Sequence, residues 1–293
     1  MPRSRRPLRD TANRRTVRTD DGALLNVVVD GPDPSRAAAT VLLVHGWTLT
    51  HHTWDDAVER LRADHPDVAL VRLDLREHGR STSGRAGLPP SVRRLGDDVA
   101  TVLRALRPGG PLVLVGHSMG AMALLSWVGR HVDQMGSRAV GFVLIGTAAR
   151  LGPMRSRTLP LAMRVVGRVP DRVRVPRLPG SVRRSRAWGP AADPDLVRRS
   201  GRTDGWVRAR SIGAWYGALV EHDEREALAH LASRPVAVVV GEHDKLTPPA
   251  LSERLAESVP GARLVRVDDA GHMLPVERPD VVVAQVERLL AAL

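Results

Sequence analysis

The sequence predicts an α/β fold, with a mostly parallel central sheet, helices on both faces and one inserted, mainly helical segment. Three observations carry that expectation. Short apolar runs alternate with amphipathic stretches of helical length. The runs at 40–44, 68–73 and 112–115 are apolar at successive positions, the pattern of strands buried on both faces. Several runs end in loops carrying Gly, His, Ser or Asp, and an α/β sheet presents its chemistry at the carboxyl ends of its strands.

Taken in order, residues 1–15 read as a basic, disordered arm with almost nothing to bury. Residues 16–19 and 23–29 form a hairpin around Asp20-Asp21-Gly22. A strand at 40–44 leads into His45-Gly46-Trp47-Thr48. Thr53 is positioned to cap a helix reaching Asp64, with Trp54, Val58 and Leu61 at helical spacing. The strand at 68–73 runs into Asp74 and His78-Gly79-Arg80-Ser81. After Pro89-Pro90 a helix begins at Ser91 and reaches Leu106.

Residues 112–115 form a strand that breaks into Gly116-His117-Ser118-Met119-Gly120, with a helix from there to Arg130. This is the pattern of a nucleophile elbow, in which a strained strand-to-helix turn exposes the serine hydroxyl. Gly116 and Gly120 sit where a Cβ would collide as the turn tightens. The alternative is a plain turn in which Ser118 caps the helix. A buried strand follows at 140–145. The rhythm lapses over 147–232, a stretch of about 85 residues and too long for an ordinary loop. Helical pieces are expected there at 195–199 and 212–231. Strands resume at 235–240 and 263–267, with a helix at 249–258 between them, and a helix at 279–293 closes the chain. The α/β core is thus expected in 16–146 and 233–293, with 147–232 as an inserted segment.

The charge pattern is uneven. The 293 residues carry a net charge of +12. Residues 1–18 hold +6 and residues 147–232 hold +9, from seventeen arginines against eight acids, leaving −3 elsewhere. Lys245 is the single lysine among 44 basic residues, so the excess reflects a preference for arginine as much as a polyanion partner. Aromatics are 3%, with no basic-aromatic surface for stacking bases, and no nucleic-acid partner is expected. With no cysteine, thiolate nucleophiles, disulfides and thiolate metal sites are excluded. No run approaches the ~18 apolar residues of a membrane span, and the basic N-terminus lacks the apolar core of a secretory signal. Cytoplasmic residence is the expectation. Nothing in the sequence sets an oligomeric state.

A serine hydroxyl needs a base to take its proton and an acid to orient that base. Later strand ends supply both: Asp244 after the strand at 235–240 and His272 after the strand at 263–267. The order Ser118, Asp244, His272 is the one this elbow type carries. The alternative reading has Asp244 capping the helix near Thr247-Pro248, with Asp268 or Asp269 as the acid instead. His243 reads as structural and His117 as packing behind the elbow. His45 and Gly46 shape the loop after their strand, and Asp74, His78 and Arg80 make a hydrogen-bond network. His51 and His52 lie on a polar loop without carboxylates at metal-ligand spacing.

Together these segments resemble the α/β-hydrolase family: His45-Gly46-Trp47-Thr48, Asp74 with His78-Gly79-Arg80-Ser81, Gly116–Gly120, Gly241-Glu242-His243-Asp244 and Gly271-His272. The resemblance covers residues 16–146 and 233–293, with 147–232 in the place of the family's cap. It implies Ser118 as nucleophile, His272 as general base and then acid, and Asp244 as the orienting carboxylate. It also implies an oxyanion hole from the backbone N–H groups of Trp47 and Met119, and no metal or cofactor. Haloalkane and epoxide cleavage in the family resembles a mechanism with aspartate at the elbow, where this chain has serine. Ester, thioester, lactone and carbon–carbon hydrolysis and acyl transfer remain open, as does a catalytically idle ligand-binding role. Trp47, Met119 and Met122 suggest an apolar acyl pocket and hence a small-molecule acyl substrate with an apolar portion. Met122 also fits the core, and Trp188, Trp206, Trp215 and Tyr216 either line an entrance or anchor the insertion.

Overall fold

A computed structural model describes residues 13–85, 88–136, 138–152, 163, 165–169, 187–203 and 209–293. Its sheet contains β1 (Arg14–Arg18), β2 (Leu24–Asp30), β3 (Ala39–Val44), β4 (Val68–Leu73), β5 (Leu112–His117), β6 (Ala139–Ile145), β7 (Val236–Gly241) and β8 (Arg263–Val267). The spatial order is β1-β2-β4-β3-β5-β6-β7-β8. The β1–β2 and β2–β4 pairs are antiparallel, and every other pair is parallel.

Alternation places the two side-chain sets of each central strand in different cores. Val41 and Leu43 of β3, with Val113 and Val115 of β5, join the helices Asp55–Asp64 and Pro279–Leu290. Leu42, Val44 and Leu114 face the opposite way, toward the helices Val92–Leu106 and Met119–Arg130. Apolar side chains on both faces of β3 and β5 are what made those runs read as continuously hydrophobic. Arg72, within β4, is the exception. It is fully buried and donates to Asp30 and Asp55.

Most expected boundaries move by a residue or two. Arg14 and Arg15, assigned to the N-terminal arm, begin β1 because their backbone pairs with Val28 and Val27. The rest of the expected arm, residues 1–12, lies outside the described residues, as do Trp206 and much of 147–232. The helix expected to start at Thr53 begins earlier, with a 3₁₀ turn at His51–Trp54 whose cap is Thr50, accepting from the His52 N–H. In the segment between β6 and β7, the expected helix 212–231 is two elements, Ala209–Glu221 and a 3₁₀ turn at Arg225–Leu231. The break has a tertiary cause. The Glu224 N–H donates to Ala149 O, 2.9 Å away, and is withdrawn from the helical ladder.

Strand order also fixes where a crevice opens. β3 and β5 are neighbours, with Val44 opposite Gly116, yet the chain leaves them toward different sides of the sheet. Loops after such a pair diverge at the carboxyl edge, and ligands bind in the gap between them. Those loops carry Trp47 and Ser118. No helix among the described residues is long and apolar enough to cross a membrane.

Candidate active site

Ser118 lies at the junction of β5 and the helix Met119–Arg130, with φ +53° and ψ −119°. A non-glycine residue there is strained by about 1–3 kcal/mol and persists only where its surroundings enforce it. Here the Ser118 N–H donates to Ile145 O at 2.8 Å, and Ser118 O accepts from the Thr147 hydroxyl at 3.0 Å. The flanking glycines are sterically required. A Cβ on Gly116 would lie 2.5 Å from Ala121 Cα, and one on Gly120 would lie 2.5 Å from His45 O and closer still to Val44 O.

After β7, Asp244 is buried at 3% exposure and anchors a small network. Its Oδ1 accepts from the Leu246 and Thr247 N–H groups at 2.9 and 2.8 Å. Its Oδ2 faces His272 Nδ1 at 2.7 Å and the Thr247 hydroxyl at 2.8 Å. The two readings of Asp244, turn cap and partner of the imidazole, therefore hold together, one on each oxygen. Burial pushes this carboxyl up, but His272 and Thr247 outweigh it and hold the group below its usual range. Asp268 and Asp269, the alternative acids, are exposed.

His272, after β8, is 6% exposed, and its backbone carbonyl accepts from His117 Nε2–H at 2.8 Å. Residue 117 thus braces the loop of 272 from behind the elbow. Burial pushes His117 down to about 3, so it acts as a neutral donor. Gly146 sits amid the group: a Cβ there would lie 3.2 Å from Asp244 Oδ2 and 3.4 Å from His272 Nδ1. Ile145, which accepts from Ser118, precedes it directly. Ser118, Asp244 and His272 therefore converge around the ends of β5, β6, β7 and β8. Among the described residues, neither Ser118 Oγ nor His272 Nε2 is engaged by another side chain.

The loop after β3 is oriented by His45. The Leu75 N–H donates to His45 Nε2 at 3.0 Å, so the ring proton sits on Nδ1, which donates to Gly46 O at 2.8 Å. The Leu49 N–H adds a second donor to that carbonyl at 3.2 Å. In a trans peptide, C=O and N–H point oppositely, so pinning Gly46 O aims the Trp47 N–H the other way. Burial, aided by neighbouring His78, pushes His45 down to about 3 and keeps it neutral. Gly46 lies against the elbow, where a Cβ would be 3.1 Å from Ser118 Cβ. Met119 is the first residue of its helix, and its N–H has no acceptor within that helix.

Around this centre, some expectations need correction. His51, placed on a polar loop, is buried. Both its N–H and its Nδ1 meet Asp74 Oδ1, at 2.7 and 2.9 Å. Asp74 also accepts from Asn26 and the Arg80 N–H, while the His78 ring bonds to Arg76 O instead. Met122 packs in the core. Two contributors carried no signal beforehand. Thr247 bridges Asp244 and Gly146 O, the latter at 2.7 Å. Glu277, five residues past His272, accepts from the Gly271 N–H at 3.1 Å and from the Gly189 N–H at 2.7 Å. Glu277 thus joins the loop of His272 to the segment between β6 and β7. Glycines allow the approach: a Cβ on Gly271 would stand 2.5 Å from Gly189 N and Trp188 C. No cluster of three or more histidines and carboxylates suited to a metal ion occurs among the described residues.

Comparison with known proteins bears on the family and the fold. Residues 41–285 match the sequence profile of the Alpha/beta hydrolase family. The chain is 30% identical over 247 residues to a pimeloyl-[acyl-carrier protein] methyl ester esterase of Chromobacterium violaceum, covering 83% of this chain and 87% of that protein. It is 28% identical over 249 residues to the protein of the same name from Neisseria meningitidis serogroup B, covering 80% and 86%. Among solved structures, a hydrolase from Pseudomonas aeruginosa PA01 superposes with a TM-score of 0.75 at 27% identity, covering 96% of this chain and 99% of that one. A thermophilic esterase from Thermogutta terrifontis shares the fold at the same TM-score of 0.75, with 24% identity and the same coverage of 96% and 99%.

Proposed function

The chain belongs to the alpha/beta hydrolase family and is a hydrolase, and from that premise we propose that it cleaves carboxylic esters through Ser118, His272 and Asp244. Ser118 Oγ attacks the ester carbonyl carbon while His272 Nε2 takes the hydroxyl proton. Asp244 holds the ring proton on Nδ1 and stabilises the imidazolium that forms. The N–H groups of Trp47 and Met119 receive the developing oxyanion, a contribution of about 3–4 kcal/mol per donor in enzymes of this type. His272 returns the proton to the departing alcohol, then activates a water that attacks the acyl-enzyme and frees Ser118.

The observation that carries this reading is the 2.7 Å contact between His272 Nδ1 and Asp244 Oδ2, set beside a serine held at φ +53°. Residues 147–232 are proposed as a cap. Supporting this, Trp215 reaches Glu77 beyond β4, and Tyr216 stands against Trp47. The substrate class proposed is a small acyl ester of a simple alcohol, in keeping with the methyl ester named for the relatives. Fluorophosphonate labelling tests the nucleophile: wild type should label and turn over short alkyl esters, and Ser118→Ala should do neither. Equal labelling of both proteins refutes the assignment.

A further inference from the structure

Among the described residues, two buried polar atoms beside the loop after β3 have no partner. Tyr216, on the helix Ala209–Glu221, is 5% exposed, and its hydroxyl makes no hydrogen bond among the described residues. The indole Nε1–H of Trp47 is likewise buried and unbonded. The two rings face each other with centroids 6.2 Å apart and planes tilted by 46°. Buried tyrosine and tryptophan normally engage their polar ends, because desolvating them without a partner is unfavourable.

Place separates this pair from other unpaired groups. Trp54 Nε1 belongs to a residue packed within the apolar core, and Ser126 Oγ is wedged against Gly96 between two helices. Trp47 is only partly buried and packs at the edge of the core, beside the elbow. It follows Gly46, which abuts Ser118, and its own backbone N–H is the proposed oxyanion donor. Tyr216 comes from the segment proposed as a cap and meets Trp47 ring to ring. Its neighbour Trp215 has its indole N–H on Glu77 Oε2 at 3.1 Å, which fixes the helix that presents Tyr216.

An indole N–H can only donate, and a phenol can donate as well. One oxygen acceptor satisfies both. We infer that Trp47 Nε1–H and the Tyr216 hydroxyl form a polar subsite for a second carbonyl oxygen of the substrate, distinct from the one attacked by Ser118. The inference rests on the ester hydrolase reading and narrows its substrate class to esters carrying a further oxo group within a few atoms of the scissile carbonyl.

The test compares ethyl 4-oxopentanoate with ethyl pentanoate, and 3-oxobutyl acetate with butyl acetate, by pH-stat in wild type and Tyr216→Phe. In one of the two pairs, Tyr216→Phe should lower kcat/KM for the oxo ester about tenfold, the worth of one hydrogen bond. It should leave the matched ester within about twofold. Equal change for both members of each pair overturns the subsite. Thermal unfolding supplies a second reading: losing an unpartnered hydroxyl should leave Tm unchanged or raise it. A fall of several degrees would mean that the hydroxyl serves the protein, and would also overturn it. Binding of the product acids and alcohols by calorimetry separates the two levels of the argument. If no ester is turned over, the hydrolase reading fails; a preference for the oxo product that Tyr216→Phe erases would still support the subsite, and its absence would overturn it.

Discussion

Asp244→Asn should disable the enzyme while leaving the fold intact, and the structure fixes how. Asp244 Oδ1 accepts two backbone N–H groups, from Leu246 and Thr247, at 2.9 and 2.8 Å. An asparagine must keep its carbonyl oxygen there, which places its NH₂ where Oδ2 was, 2.7 Å from His272 Nδ1. The amide then donates to Nδ1, the ring proton moves to Nε2, and the nitrogen needed to deprotonate Ser118 is blocked. Flipping the amide would set its NH₂ against two N–H groups, at about 2–4 kcal/mol. That alone is about 30- to 1000-fold, and losing the charge opposite the imidazolium adds an order of magnitude or more. The expected fall in kcat/KM is about 10³–10⁴, up to the roughly 10⁴ that follows when a triad acid becomes its amide. Stability should change by no more than about 1 kcal/mol, because the NH₂ can donate to Thr247 Oγ1, whose own proton goes to Gly146 O. Ester kinetics and urea unfolding on the same preparation measure both. A variant retaining more than a tenth of wild-type kcat/KM would refute the tautomer argument.

Gly120→Ala should destabilise the protein by about 3 kcal/mol or more, since its Cβ meets the main-chain oxygens of Val44 and His45 rather than side chains that can move; thermal unfolding is the check, and a near-neutral result would refute the steric account of the elbow. Stability should also fall in mild acid. Burial depresses His45 and His117 to about 3. Below about pH 6.5 the unfolded chain therefore binds protons that the folded chain refuses, so stability rises with pH across this window and is lost as pH drops toward 3. For the pair, the loss between pH 6 and pH 5 should be about 2 kcal/mol in urea titrations, and a flat profile would show that these rings are not held neutral. Glu277→Gln should cost about 1–2 kcal/mol and slow ester turnover, because the amide NH₂ standing where Oε1 was sets a donor 3.1 Å from the Gly271 N–H and leaves a single uncharged oxygen for both Gly271 and Gly189; unchanged kcat/KM would remove Glu277 from the support of His272.

Much of this architecture was legible because it follows from local rules. Strands buried on both faces announce themselves by unbroken apolar runs, and β3 through β7 were found within about two residues of where those runs lie. The elbow was readable because Gly116 and Gly120 answer to steric demands that no other residue meets. The order of Ser118, Asp244 and His272 followed from strand ends. What escaped depends on contacts far apart in sequence. His51 looked like a surface residue until Asp74, 23 positions away, was seen to claim it. Thr247 and Glu277 act through backbone groups of residues 146 and 189, which no periodicity encodes. Helix continuity through His222–Glu224 failed for the same reason: the deciding acceptor, Ala149 O, lies some 75 residues earlier.

The seat between Gly189 and Gly271 bears on how such a chain diversifies. Met273 N–H bonds to Ala187 O at 3.0 Å, so the docking there runs through main-chain atoms, with Glu277 supplying the one carboxylate. Main-chain docking is indifferent to most substitutions, so at this seat two glycines and a glutamate suffice to hold the register against His272. A foreign segment grafted between β6 and β7 would need to reproduce this seat as well as the side-chain contacts that hold the rest of the segment, Trp215 on Glu77 among them. On the proposed reading of this segment as a cap, its side chains can change while the seat against His272 is kept.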